Sequence, residues 1–159
     1  MNTTEFVYTT YIKSTPQQVW DAITTPEFAR QYWGYGIVSD WKPGSEWEMV
    51  RGDGSNHVQT IGEVVESHPP SRLVISWVKP ENRADRSEYS RVTFEIEMTR
   101  DVVRLNVIHD QLKAGSEMAL GISDGWPRVL SGLKSFLETG RPLMTLACQG
   151  SVHAEAKVA

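Results

Sequence analysis

Four histidines, one cysteine and a scatter of carboxylates are the side chains of this sequence that could do chemistry. His57, His68, His109 and His153 never fall at the i, i+4 interval with which one helix offers two ligands to zinc. Cys148 has no second cysteine beside it, so no metal centre is expected. No Gly-x-Ser-x-Gly elbow for a nucleophilic serine is present. Gly52-Asp53-Gly54-Ser55 looks like a phosphate loop, but no helix follows it, and a hairpin turn accounts for it better. No catalytic residue and no cofactor is assigned on this basis.

His109 is the titratable residue of most interest. It shares strand parity with Val103, Leu105 and Val107 and should point inward with them. There it could anchor a ligand or act as a general acid or base. The alternative is a histidine at a strand end, bonded to a neighbour. Arg51 shares parity with Trp47 and Met49 and could hold a carboxylate, or it could reach solvent from the sheet edge. His57 and Gln59 share a face of the next strand, inward or outward. Trp33, Trp47 and Trp77 read as more open aromatics that could hold a ring, Phe94 lies on the apolar side of its strand, and Trp20 and Trp126 read as core.

These residues must be positioned by a sheet and a helix. From Ser123 to Pro142, Trp126, Val129, Leu130, Leu133, Phe136 and Leu137 recur at the spacing of one helical face. The helix is expected to start near Ser123 or Asp124, with Pro127 in its first turn, and to end at Gly140. The segment 110–122 is a connection in which the helix could begin earlier. Before it, residues 6–13 read as a strand, and two short helices follow, one from Ser14 and Thr15 and one from Thr25 and Pro26. Residues 35–109 alternate with period two. The strands expected there are 37–40, 46–51, 57–67, 72–78, 88–98 and 102–109, with Gly62 as a bend or bulge and 79–87 as a charged loop. Clean alternation means an antiparallel sheet with one wet face. The predicted fold class is α+β: a curved antiparallel sheet wrapped around one long C-terminal helix, with two short helices after the first strand. A curled sheet cannot touch a straight helix along its whole length, so a gap lined by apolar groups is expected.

The composition fits. A length of 159 residues suits one domain, expected over 1–143, with a flexible tail over 144–159. The net charge of -4, with both signs mixed along the chain, argues against nucleic acid. No run is apolar enough to span a bilayer, no secretory signal is visible, and the cytoplasm is the default location.

Three segments carry a family resemblance. GEVVESHPPSRLVISW at 62–77 resembles the G-x-V-x-E-x-x-P-P-x-R-L-x-x-x-W signature of the activator of heat-shock protein 90 ATPase homologue family. STPQQVWDAITTPEFARQYW at 14–33 is similar to that family's A-P-x-x-V-W-x-A-L-T-x-P-E-x-x-x-x-W-W opening, and GWPRVLSGLKSFLETG at 125–140 to its closing helix. The resemblance covers most of residues 6–140. It implies a START-like (SRPBCC), Bet v 1-like helix-grip fold with a cavity for an apolar ligand, and no fixed chemistry.

Three functions stay open. One is binding or sensing of a small hydrophobic or aromatic ligand between helix and sheet, with Trp33, Trp47, Arg51, Trp77, Phe94, His109, Trp126 and Leu130 as the lining. Another is a cyclase- or hydrolase-like enzyme using His109 with Arg51 or Gln59. The last is an interaction protein, pairing with a chaperone or with a second copy of itself through the outer face of the sheet.

Overall fold

Alternation between apolar and polar residues organises the chain into seven strands. The computed structural model describes residues 2–143. Cys148 and the tail expected to be flexible lie outside the described residues. In chain order the elements are β1 (Thr3–Ile12), α1 (Pro16–Thr24), α2 (Pro26–Tyr32), β2 (Tyr35–Val38), β3 (Glu46–Arg51), β4 (Val58–His68), β5 (Arg72–Trp77), β6 (Ser90–Thr99), β7 (Val102–Lys113) and α3 (Glu117–Thr139). The strands form one antiparallel sheet in the order β1-β7-β6-β5-β4-β3-β2. The two short helices carry the chain from one edge to the other, because β1 and β2 are the outermost strands. This is the helix-grip architecture that the pattern predicts.

The inner face is apolar. Val92, Phe94 and Ile96 of β6 are buried with Val103, Leu105, Val107 and His109 of β7, Leu73, Ile75 and Trp77 of β5, and Trp47 and Met49 of β3. Met98, which shares strand parity with Val92, Phe94 and Ile96, is exposed where β6 runs past the core. The outer face of β4–β7 carries ion pairs across strands. Arg72 bridges Glu66 (3.1 Å) and Glu95 (2.8 Å), and Arg91 forks onto Asp110 (3.1 and 2.7 Å).

The start of α3 differs from the sequence expectation. Ser116 is its N-cap, with Oγ accepting from Ala119 N (3.1 Å), and Pro127 lies inside the helix. Proline within a helix removes one backbone donor and crowds the preceding turn. The helix runs through because Ala119, Ile122, Trp126, Leu130 and Leu133 are all buried on one stripe. That burial outweighs a single missing hydrogen bond. The other end follows the pattern, with Gly140 in the left-handed conformation (φ 79°) and its N–H bonded to Phe136 O (2.9 Å).

Two further corrections concern β4 and the charged loop. The irregularity in the β4–β5 ladder lies between Val64 and Glu66, not at Gly62. Gly62 answers a different need: a Cβ there would sit 1.9 Å from Ser76 O and 2.5 Å from Trp47 Nε1, which are themselves hydrogen-bonded at 2.9 Å. The segment after β5 contains two 3-10 turns, Pro80–Asn82 and Arg86–Glu88. It leans on the outer face through Arg83–Glu46 (3.3 Å) and Arg86–Glu63 (3.1 Å).

Candidate functional site

The eight residues expected to line the site pack together between α3 and the inner face, with the exception of Arg51. Trp126 of α3 is the hub. Its ring centroid is 5.6 Å from Trp33, 5.7 Å from Trp77, 5.9 Å from Phe94 and 6.2 Å from His109. Trp47 extends the row, 5.3 Å from Trp77. Leu130, one helical turn beyond Trp126, is buried in the same cluster. Trp33, Trp47 and Trp77, expected to be more open, are as buried as Trp126. Trp33 arrives at the end of α2, and the Trp47 indole crosses Gly62 of β4 to reach Ser76 O of β5, which strand parity alone does not reveal.

Arg51 is the exception. It lies at the far end of β3, beside the buried Tyr35, with a side chain 37 % exposed and 3.9 Å from Asp53. The chain reverses immediately after it, so the guanidinium meets solvent, a turn carboxylate and the Tyr35 hydroxyl instead of the tryptophan cluster. His57 is exposed and Gln59 half-buried at the start of β4.

His109 is fully buried, and both its ring nitrogens are committed. Trp126 Nε1–H donates to Nδ1 (3.1 Å). An indole nitrogen is a donor only, so Nδ1 is the acceptor and the neutral ring carries its proton on Nε2. Nε2 lies 2.8 Å from Ser90 Oγ and donates to it. The Ser90 hydroxyl proton is then shared between Trp77 O at 3.3 Å, long for an O–H···O bond, and Met118 Sδ at 3.5 Å, an ordinary distance to a weakly accepting thioether. Burial drives the His109 pKa down to about 3, against a small opposing pull from Asp110. A ring held neutral, with both nitrogens engaged, is poorly placed for general acid–base catalysis.

Ser90 was not among the sequence candidates, although a signal existed. It shares parity with Val92 and Phe94, and Val92 pairs with His109 across the β6–β7 ladder. Ser90 therefore sits diagonally beside the histidine on the inner face. Trp77 holds the other unexpected feature. Its Nε1 is buried and has no hydrogen-bond partner, which no other buried side-chain nitrogen or oxygen shares among the described residues.

An open cavity of about 260 Å³ reaches Ser90 from outside, between the N-terminal turn of α3, the end of β7 and the segment after β5. Ser90, Leu112 and Met118 line its inner part, and Lys79, Lys113 and Glu117 stand on its rim. A wider groove of about 630 Å³ lies on the other side of Trp47, along the outer face of β3 and β4. Among the described residues no three His, Cys, Asp or Glu side chains are grouped as metal ligands, and no helix is long and apolar enough to cross a membrane.

The family model described as Activator of Hsp90 ATPase homolog 1-like protein matches residues 13–138. No curated protein matches the chain. Solved structures share its fold. The Aha1 dimer from Colwellia psychrerythraea is 20% identical, with a TM-score of 0.70 over 86% of this chain and 98% of its own. CalU16 from Micromonospora echinospora is 20% identical, with a TM-score of 0.67 over 96% and 84%. DynU16, a protein of the dynemicin biosynthetic locus, is 24% identical, with a TM-score of 0.66 over 87% of this chain and 48% of its own.

Proposed function

The chain belongs to the Activator of Hsp90 ATPase homolog 1-like family, and from that premise we propose that it binds a small apolar, aromatic molecule between α3 and the inner face of the sheet. The molecule occupies the cavity at the N-terminal end of α3, against Ser90, Leu112 and Met118, and the packed cluster of Trp33, Trp47, Trp77, Phe94, His109, Trp126 and Leu130 lies behind Ser90. The observation that carries this reading is the unpaired Trp77 Nε1. An unsatisfied buried donor costs roughly 1–3 kcal/mol, so an interior that keeps one is suited to a partner from outside the chain. A cavity of about 260 Å³ lies just below the usual range of small-molecule sites and suits a ligand of one or two rings. The neighbour from the dynemicin biosynthetic locus is consistent with a fold member that works with small molecules. Binding, not turnover, is favoured because both His109 nitrogens are occupied.

N-phenyl-1-naphthylamine, a neutral apolar fluorophore, tests the proposal. It should bind saturably, gain emission and quench tryptophan. Met118→Trp fills the cavity from the first turns of the helix and should abolish this while leaving the melting transition in place. Absence of saturable binding, or undiminished binding to folded Met118→Trp, overturns the reading.

One observation favours a second reading, self-association. Val7 (54 % exposed) and Tyr11 (50 % exposed) present apolar surface along the edge strand β1, and one structural neighbour is a dimer. Edge strands with apolar flanks are prone to pair with another chain.

A further inference from the structure

We infer that the ligand of this cavity carries a neutral carbonyl oxygen, of a ketone or an ester, and that the Ser90 hydroxyl donates to it. The inference rests on the proposed binding function and names the chemical class of what is bound. It follows from the direction in which hydrogens run through the buried row. Trp126 can only donate, so His109 Nδ1 accepts, so His109 Nε2 donates, so Ser90 Oγ accepts. The most weakly held proton in the row is that of Ser90, whose acceptors in the protein are a carbonyl at a long 3.3 Å and a thioether sulfur at 3.5 Å, a weak acceptor by its chemistry. Trp77 Nε1–H, in the ring next to His109, is a buried donor with no partner at all. The buried groups thus supply donors in excess, and the unmet demand is for an acceptor.

Charge on the rim argues that this acceptor is neutral. Lys113 is paired with Glu88, and Lys79 lies 4.0 Å from Glu117, so the cations around the mouth are balanced by carboxylates. The first turn of α3 carries the Glu117 carboxylate at the cavity, and its Ala119 N–H is already taken by the Ser116 side chain. A carboxylate brought to Ser90 would lose its hydration for a single neutral donor, whereas a carbonyl oxygen loses far less. The remainder of the ligand meets Leu112 and Met118, the apolar part of the lining, which calls for an apolar ring system.

Three naphthalenes separate the possibilities: 2-acetylnaphthalene, 2-ethylnaphthalene and 2-naphthoate, titrated into the wild-type protein and Ser90→Ala with tryptophan quenching as the signal. Ser90→Ala should weaken the ketone about fivefold to tenfold, the worth of one hydrogen bond. The hydrocarbon should change by less than about twofold, within the scatter expected where no bond is lost. Infrared spectroscopy gives a readout that a packing change would not move. The carbonyl stretch of bound 2-acetylnaphthalene should lie below its value in hexane for the wild type and return toward it in Ser90→Ala. If ketone and hydrocarbon bind the wild type and respond alike to Ser90→Ala, with the stretch unshifted, this inference fails while the binding function stands. Tighter binding of 2-naphthoate than of the ketone overturns the neutral class. If none of the three binds, the binding function fails and takes this inference with it.

Discussion

His109 is kept neutral by the surroundings that also use up its hydrogen bonds, and this has a measurable consequence for stability. Its folded pKa, near 3, lies below the ordinary histidine value. As pH falls below about 6.5 the unfolded chain takes up a proton that the folded chain refuses, so stability is complete above that pH and is lost as pH falls toward 3. The slope should approach about 1.4 kcal/mol per pH unit. Urea midpoints between about pH 6.5 and 4.5 should fall accordingly, and His109→Gln should flatten the trend even if it is less stable throughout. An unchanged midpoint over that window would show that the imidazole is not held as described. The window stops short of the carboxylates of Asp40, Asp53 and Asp85, each held low chiefly by a serine hydroxyl, whose contributions are lost mainly at lower pH. Glu138, held low chiefly by Lys134, begins to lose its contribution only at the foot of the window, where an unfolded glutamate titrates. At the same scale, histidine nitrogen shifts in a 15N spectrum at neutral pH should show His109 protonated on Nε2, and the opposite tautomer would contradict the donor order from Trp126 to Ser90.

Elements hold this row of side chains in place, and α3 and β4 do so by different means. Helix α3 carries Trp126 into the cluster only because the helix packs along its buried stripe despite Pro127. Leu133 is fully buried two turns beyond Trp126. Leu133→Ala should cost about 2–5 kcal/mol through lost transfer energy and the void left behind. A urea midpoint equal to that of the wild type would show that the helix does not pack on the sheet there. Strand β4 works through absence of a side chain. Trp47 Nε1 reaches Ser76 O directly across Gly62, and a methyl at that position would overlap backbone rather than a flexible side chain. Gly62→Ala should therefore cost about 3 kcal/mol or more, at the upper end for overpacking. It should also change the near-ultraviolet dichroism of the paired Trp47 and Trp77 rings. A native melting temperature in that variant would mean that the strands can part without penalty.

At the scale of the whole molecule, a sheet that curls around a helix keeps two free edges, and the longer, β1, is partly closed from within. Lys134 Nζ donates to Tyr11 O (2.5 Å) and Glu138 accepts from Lys13 N (2.8 Å), so the end of α3 satisfies backbone groups that a second strand would otherwise seek. Lys134 and Glu138 also pair with each other (2.8 Å), but so exposed a pair contributes only about 0–1 kcal/mol. Replacing both by alanine should leave stability nearly unchanged and raise the sedimentation coefficient with protein concentration, as unguarded edges associate. Adding Val7→Lys should reverse that rise by placing charge beside the opened edge. Sedimentation unchanged in the double variant would show that the two side chains do not protect β1.

Periodicity in the sequence determined a large part of this protein. The alternation of Val103, Leu105, Val107 and His109 already says that the histidine points inward, and the stripe from Trp126 to Leu137 already says that one helix must be covered by a sheet. Gly140 marks the end of that helix because only a left-handed residue turns the chain there. The beginning of the helix was hidden, since Ser116 caps as well as Ser123 would and burial of Ala119 and Ile122 overrides the signal from Pro127. The site was legible only as a set of types. That Trp33, Trp47 and Trp77 close on Trp126, that Arg51 ends at a turn beside Asp53, and that Ser90 receives the His109 proton all depend on cross-strand register and on the path of α1 and α2. Parity fixes which face a residue takes. Which side chains then touch, and which donor is left without an acceptor, is decided by distances between elements far apart in the chain, and only the tertiary structure sets those.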